Sequence, residues 1–314
     1  MDKRISMYTI RNITEAASGK TRDKLNILIV NEFDDAYVKN LCLTNHNFFI
    51  LNNVKDLPQQ WASDDLPHNL TVLNSFSDLR FLDAIVCFNR GNAYQFAQNF
   101  SSQFHVNLIN VDFASSQLIF PSPVNSSVNI PLQEAIARQG VISVGTTKQI
   151  TASWANQKSG FQLTIPHYYD KFEPTNRSKI LVDPNLPQDT ISTLPVQLTP
   201  DIYTTDKNEA CAYLHLWKHV NKLAIDCLAS DVPVVCLDSP DIKDLSFNRA
   251  CIVLPDMDHL KLENFKDRLL QLSQQHGITT YAKQYLEAVH DNDFFLECWD
   301  KLFRYTSNLM YLRG

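Results

Sequence analysis

Residues 221–238 read NKLAIDCLASDVPVVCLD, and the architecture turns on this stretch. Asn221 predicts an N-cap, because its amide oxygen can accept from the first N–H groups of a helix. Leu223, Ala224, Cys227 and Leu228 then recur at helical spacing. Ser230-Asp231 breaks the pattern, and residues 232–237 form a run too apolar and β-branched for a surface strand, which predicts a strand buried on both faces. A capped helix start with Lys222 in its first turn and Asp226 one turn on can offer N–H dipoles, a cation and a carboxylate to one ligand. A nucleoside diphosphate suits that set, with phosphates at the helix end and ribose hydroxyls on the acid. The same residues also suit an ordinary αβ unit of any doubly wound protein.

Upstream, strands and helices alternate. LNILIV (25–30) reads as a buried strand, followed by the polar loop Asn31, Glu32, Phe33, Asp34, Asp35 and a helix over 36–43. Strands are predicted at 48–51, 70–73, 83–88 (DAIVCF), 107–111 (NLINV), 140–144 and 162–165, with helices at 93–101 and 148–156. Such alternation predicts a parallel sheet with helices on both faces, and ligands bind at the carboxyl ends of its strands. The loops 31–35, 89–92 and 112–116 are therefore the ones to watch. Glu32 and Asp112 stand where a general base for an acceptor hydroxyl belongs. Arg90, beside Gly91, suits a negatively charged group of acceptor or phosphate; the plain alternative for it is a surface loop. The longest irregular piece, 115–130, carries Pro121 and Pro123.

A domain boundary is expected at Ile165-Pro166, since proline forces its predecessor out of the helical region and the following residues are polar and aperiodic. Beyond it, strands are expected at 179–182, 201–205 and 250–254, with a helix over 206–218. On that helical reading His215, Lys218, Lys222 and Asp226 share one arc opposite Tyr213, Trp217, Ala224 and Leu228, the pattern of a wet face. One continuous helix would hold Glu209 about 25 Å from Asp226, so the N-cap at Asn221 implies a break and Asp226 is the stronger ligand candidate. Lys222 opposes the helix dipole unless an anion binds there, although a solvated lysine fits equally well. The tail from 260 to 313 is helical in pattern, with Phe294, Phe295, Cys298, Trp299, Leu302, Phe303 and Tyr305 forming a seam that reads as core.

The 314 residues suit two domains, and 44% hydrophobic with 11% aromatic content indicates packed cores rather than disorder. A formal charge of −6 disfavours DNA and anionic membranes as partners. The seven cysteines show no paired CxxC spacing; Cys87, Cys227 and Cys236 sit in apolar patterns and read as reduced core residues. With no spanning apolar run and no signal-peptide core, the expected location is the cytoplasm. The nine histidines are scattered without ligand spacing, and the GxxxxGK[ST], GxGxxG, HEXXH and GxSxG motifs are absent.

The 221–238 stretch resembles the donor-site motif of GT-B-fold glycosyltransferases, N-K-L-x-E-x-x-A-x-G-x-P-V-V, through Asn221, Lys222, Leu223, Ala229, Pro233, Val234 and Val235. It departs at Asp226, which stands near the place of the family's ribose-binding Glu but is one methylene shorter, and at Asp231, which replaces the turn Gly. The segment 165–170 resembles the family's I-P-N-G-V-D linker through Ile165, Pro166 and Asp170, but not through His167, Tyr168 and Tyr169. The family's Gly-rich phosphate loop has no counterpart; the whole chain holds 7 Gly. The resemblance implies two doubly wound Rossmann-like domains, an acceptor domain over 1–165 and an abbreviated donor domain over 166–288, with a C-terminal helix at 289–314 crossing back. It implies a hexosyl- or pentosyltransferase that needs no metal and no cofactor beyond a nucleotide-sugar co-substrate, with UDP the expected nucleotide. The implied donor-binding set is Thr205, His219, Asn221, Lys222 and Asp226. The acceptor is a hydroxyl of a glycan, a protein or a modified DNA base. The rival readings are a catalytically inactive GT-B-like module that binds a nucleotide or a protein partner, and a nucleotide-sugar epimerase.

Overall fold

The computed structural model describes residues 23–30, 35–51, 66–74, 81–88, 91–104, 106–112, 141–155, 161–186, 191, 201–238, 242–243, 245, 249–255, 267, 271 and 276–312. Glu32, Arg90 and the loop 115–130 lie outside the described residues. The described chain divides into two compact units, one holding residues up to Ile165 together with Asp293 onward, the other Pro166–Asn292.

In the first unit β1 (Asn26–Val30), α1 (Asp35–Cys42), β2 (Asn47–Leu51), β3 (Leu70–Leu73), β4 (Ala84–Phe88), α2 (Gly91–Phe104), β5 (Leu108–Asp112), β6 (Ile142–Gly145), α3 (Lys148–Ala155) and β7 (Gln162–Thr164) follow in order. Seven strands pair in parallel in the order β3-β2-β1-β4-β5-β6-β7. The runs LNILIV, apart from half-buried Asn26, and AIVCF are buried along their length, as strands of a parallel sheet covered on both faces are.

The second unit contains β8 (Lys179–Val182), β9 (Tyr203–Thr204), a 3₁₀ turn (Lys207–Glu209), β10 (Ala210–His215), α4 (Lys222–Ala229), β11 (Val234–Leu237), β12 (Cys251–Leu254) and α5 (His276–Val289). Its five strands are parallel in the order β12-β11-β10-β8-β9. One face carries a core of Leu181, Tyr213, Val234 and Cys236 beneath α4 and α5; the other buries Val182, Leu214, Val235, Leu216 and Trp217.

The structure corrects the expected helix over 206–218. Its first residues make the 3₁₀ turn, capped by Asp206, and ACAYLH is β10, the central strand, buried at all six positions. A residue with neighbours on both faces needs no period of 3.6, so the spacing there carried no helical information. The shared wet arc of His215 with Asp226 therefore does not exist.

The long helix α6 (Asn292–Leu312) packs in the first unit. Phe295, Trp299, Leu302 and Phe303 are buried, while Phe294 and Tyr305 of the expected core seam are exposed. Trp299 donates its indole N–H to the Tyr37 hydroxyl at 3.2 Å, and Asn107 donates to the Thr306 carbonyl at 2.9 Å. Among the described residues, no helix is long and apolar enough to cross a membrane.

Candidate functional site

In a doubly wound sheet the ligand crevice lies at the carboxyl edge where the strand order reverses. The second unit reverses between β8 and β10: the chain leaves β8 for β9 on one side, then returns to β10 on the other. Two loops meet there. Asp183-Pro184-Asn185 follows β8, and residues 216–221 join β10 to α4.

Asn221 caps α4 as its sequence position predicts. Its side-chain oxygen accepts from the Ala224 N–H at 2.9 Å. Its amide nitrogen donates to Asp183 Oδ2 at 2.8 Å and reaches the Tyr213 hydroxyl at 3.3 Å. A carboxylate only accepts and a backbone N–H only donates, so the two ends of the Asn221 amide cannot be exchanged. Asp183 Oδ2 also accepts the indole N–H of Trp217 at 2.8 Å, and Oδ1 accepts the Asn185 N–H at 2.8 Å. His215 Nδ1 lies 3.4 Å from the Tyr213 hydroxyl, and burial pulls its pKa down to about 4, so it is neutral at physiological pH.

With Ala224 taken by the cap, the N–H groups of Lys222 and Leu223 are those with no partner inside the helix. They mark the positive end of the helix dipole at the carboxyl edge. In the loop that leads from β10 to them, Lys218 is exposed and His219 is buried. This arrangement can bind an anionic group through N–H dipoles and a lysine. Among the described residues, no cluster of three His, Cys, Asp or Glu could hold a metal ion.

The structure does not bring all the sequence-selected residues together. Lys222 runs along its helix, with Nζ 2.6 Å from Asp226 Oδ1 and 2.7 Å from Asp170 Oδ2. Its charge is balanced within the protein, which removes the dipole misfit that suggested a bound anion. Asp226 was expected on a wet face; instead it is 3% exposed, because α4 is buried from Ala224 through Ala229. Its Oδ1 also accepts the Asp170 N–H at 2.8 Å, and Lys207 Nζ lies 3.4 Å from Oδ2. Burial raises its pKa, with Lys222 the largest opposing influence. Asp226 thus fastens α4 to the segment after Pro166, as does Ser230, whose hydroxyl accepts the Phe172 N–H at 2.9 Å. Ribose hydroxyls would have to displace those bonds.

Thr205 is exposed in the turn before the 3₁₀ helix, on the amino-terminal side of β10, whereas Asn221 follows its carboxyl end. Glu209 is likewise before β10, 3.1 Å from Lys179. In the first unit Asp112 is buried as the last residue of β5, at the carboxyl edge of that sheet. Sequence reasoning missed Asp183 and Trp217 as parts of the crevice and placed Lys218 on a helix.

The sequence matches no protein-family model and no curated protein. Solved structures do resemble it. Sucrose-phosphate synthase of Thermosynechococcus elongatus superposes with a TM-score of 0.63 at 12% identity, over 90% of this chain and 98% of that one. HepE of Anabaena in complex with UDP-glucose gives 0.60 at 9% identity, over 88% and 99%. A glycosyltransferase from Rickettsia africae gives 0.58 at 9% identity, over 91% and 99%. The fold is that of the GT-B glycosyltransferases. Within this GT-B fold the two loops at the strand-order reversal of the second unit, Asp183-Pro184-Asn185 and residues 216–221, contain no glycine.

Proposed function

We propose that the protein transfers a glycosyl group from a nucleoside-diphosphate sugar to an acceptor hydroxyl. The observation that carries this reading is the capped start of α4 at the strand-order reversal of the second unit, with Lys218 in the loop that leads to it. A diphosphate placed there meets the N–H groups of Lys222 and Leu223 and the Lys218 ammonium. His219 and Asn221 shape the same loop, the former as a lining residue and the latter as a support. Asp226 and Lys222 belong to the framework rather than to the donor.

In the reaction the acceptor oxygen bonds to the anomeric carbon while the bond from that carbon to the diphosphate oxygen breaks. The acceptor proton passes to a base, and the diphosphate leaves with the bonding electrons. N–H dipoles and a lysine offset the charge that develops on the leaving oxygen, the kind of preorganised stabilisation that contributes most to such steps. Asp112 is the base we assign from the described residues; from the sequence, Glu32 stays a second candidate for that base and Arg90 a partner for an acceptor or a phosphate. UDP is the nucleotide we favour, because HepE, which shares the fold, is bound to UDP-glucose in its structure.

The test is a melting-temperature screen of the full chain against UDP, GDP, CDP and their sugar conjugates, followed by assay of nucleotide release with hydroxyl acceptors. A ligand at a hundred times its dissociation constant stabilises by about 2.7 kcal/mol. Stabilisation with release supports the transferase. Stabilisation without release across the panel supports the inactive binding module, and no stabilisation by any nucleotide rejects both.

A further inference from the structure

Trp217 and Asn221 flank the residues that the proposed donor site depends on, and both are tied to one atom. The Trp217 indole N–H and the Asn221 amide each reach Asp183 Oδ2 at 2.8 Å. The stretch 217–221 is therefore closed into a small loop whose two ends rest on a carboxylate from the opposite wall of the crevice. Lys218 and His219 lie inside that loop. The third bond of Asp183, to the Asn185 N–H at 2.8 Å, fixes its own wall.

We infer that Asp183 is the positioning residue of the donor site, holding Trp217 and Asn221 so that Lys218, His219 and the start of α4 face the diphosphate. This inference rests on the donor reading above. Asp183 is 5% exposed, and among the described residues it forms no ion pair. Burying a carboxylate without a cation is costly unless N–H donors surround it, and here three do. An amide or an apolar residue would fill the space at lower desolvation cost, but could not accept from both walls at once. The chain of consequence is short: Asp183 orients the Asn221 amide, the amide oxygen caps Ala224, and the cap sets the direction of the remaining N–H groups. Sites preorganised in this way lose little freedom when they bind, so a loosened loop shows itself as lost affinity.

The experiment uses the full chain and UDP as the probe, by calorimetric titration well below the melting temperature of every variant. Asp183→Asn should weaken UDP binding about tenfold or more, while the far-ultraviolet circular dichroism stays unchanged. Trp217→Phe keeps the ring packing and removes one tie, so it should weaken UDP by a smaller factor even where Asp183→Asn folds poorly. The two changes act through one tie, so the double variant should bind UDP no more weakly than Asp183→Asn alone. The indole N–H resonance of Trp217 should also move in Asp183→Asn without any nucleotide present. Wild-type protein that binds UDP alongside single variants of unchanged affinity, or losses that simply add, would overturn the positioning role alone. Wild-type protein that fails to bind UDP overturns the donor reading and this inference together.

Discussion

Asp226 and Lys218 carry opposite charges and, in this structure, opposite kinds of work. The Asp226 carboxylate is buried beside Lys222 and Lys207 and accepts the Asp170 N–H, so its removal leaves Lys222 with Asp170 alone and takes the acceptor from a backbone donor. Asp226→Ala should lower stability by about 1–3 kcal/mol, read as a shift of the urea midpoint, the cost of taking its partner from a buried hydrogen-bonding group. An unchanged midpoint would return Asp226 to the ligand. Lys218 is exposed in the β10–α4 loop, so Lys218→Ala should leave the midpoint within about 0.5 kcal/mol and weaken UDP binding. The N-cap was legible because its bond spans three residues and obeys local rules. Asp183 was not, because its bonds to Trp217 and Asn221 span 34 and 38 residues, and nothing in VDPN announces them.

At the scale of elements, the parallel strands were legible where both faces are aliphatic, as in LNILIV, AIVCF and VVCL. The central strand β10 was not, because Ala, Cys and His have no strong strand preference and the acidic residues before it imitate a helix start. The end of α4 is instructive in the other direction. Ser230 and Val232 both donate backbone N–H groups to the Cys227 carbonyl, at 3.1 and 2.9 Å, which throws Asp231 into the left-handed region at φ 56°. That is the position where helices usually place glycine. Asp231 also meets Lys283 at 3.2 Å, but both side chains are about half exposed, so that pair adds little. Asp231→Gly should therefore raise stability by about 0.5 kcal/mol, and Asp231→Val should lower it by more than about 1 kcal/mol. Thermal melts of the two variants decide it; a stabilising Val would mean that the turn is not left-handed in solution.

For the molecule as a whole, the buried histidines set the response to acid. His215 and His290, both in the second unit, have pKa values drawn down to about 4, chiefly by burial. The unfolded chain takes up protons near pH 6.5, while the folded form resists them until about pH 4. Between those values the unfolded state binds more protons, so stability is present above pH 6.5 and is lost as the pH falls. Each histidine should account for on the order of 3 kcal/mol of that loss. About 2 kcal/mol per histidine of that loss falls between pH 7 and pH 5, so urea midpoints at those two values should differ by that much, and His290→Gln should flatten the difference; equal midpoints would contradict the burial. The central claim is that the start of α4 holds the diphosphate of a nucleotide sugar. The most direct measurement is a calorimetric titration of the full chain with UDP and with uridine, repeated on Lys218→Ala. The account predicts that UDP binds, that uridine binds far more weakly because the phosphates supply the contact, and that Lys218→Ala narrows the gap between them. Equal affinity for UDP and uridine, or no binding of either, would contradict it.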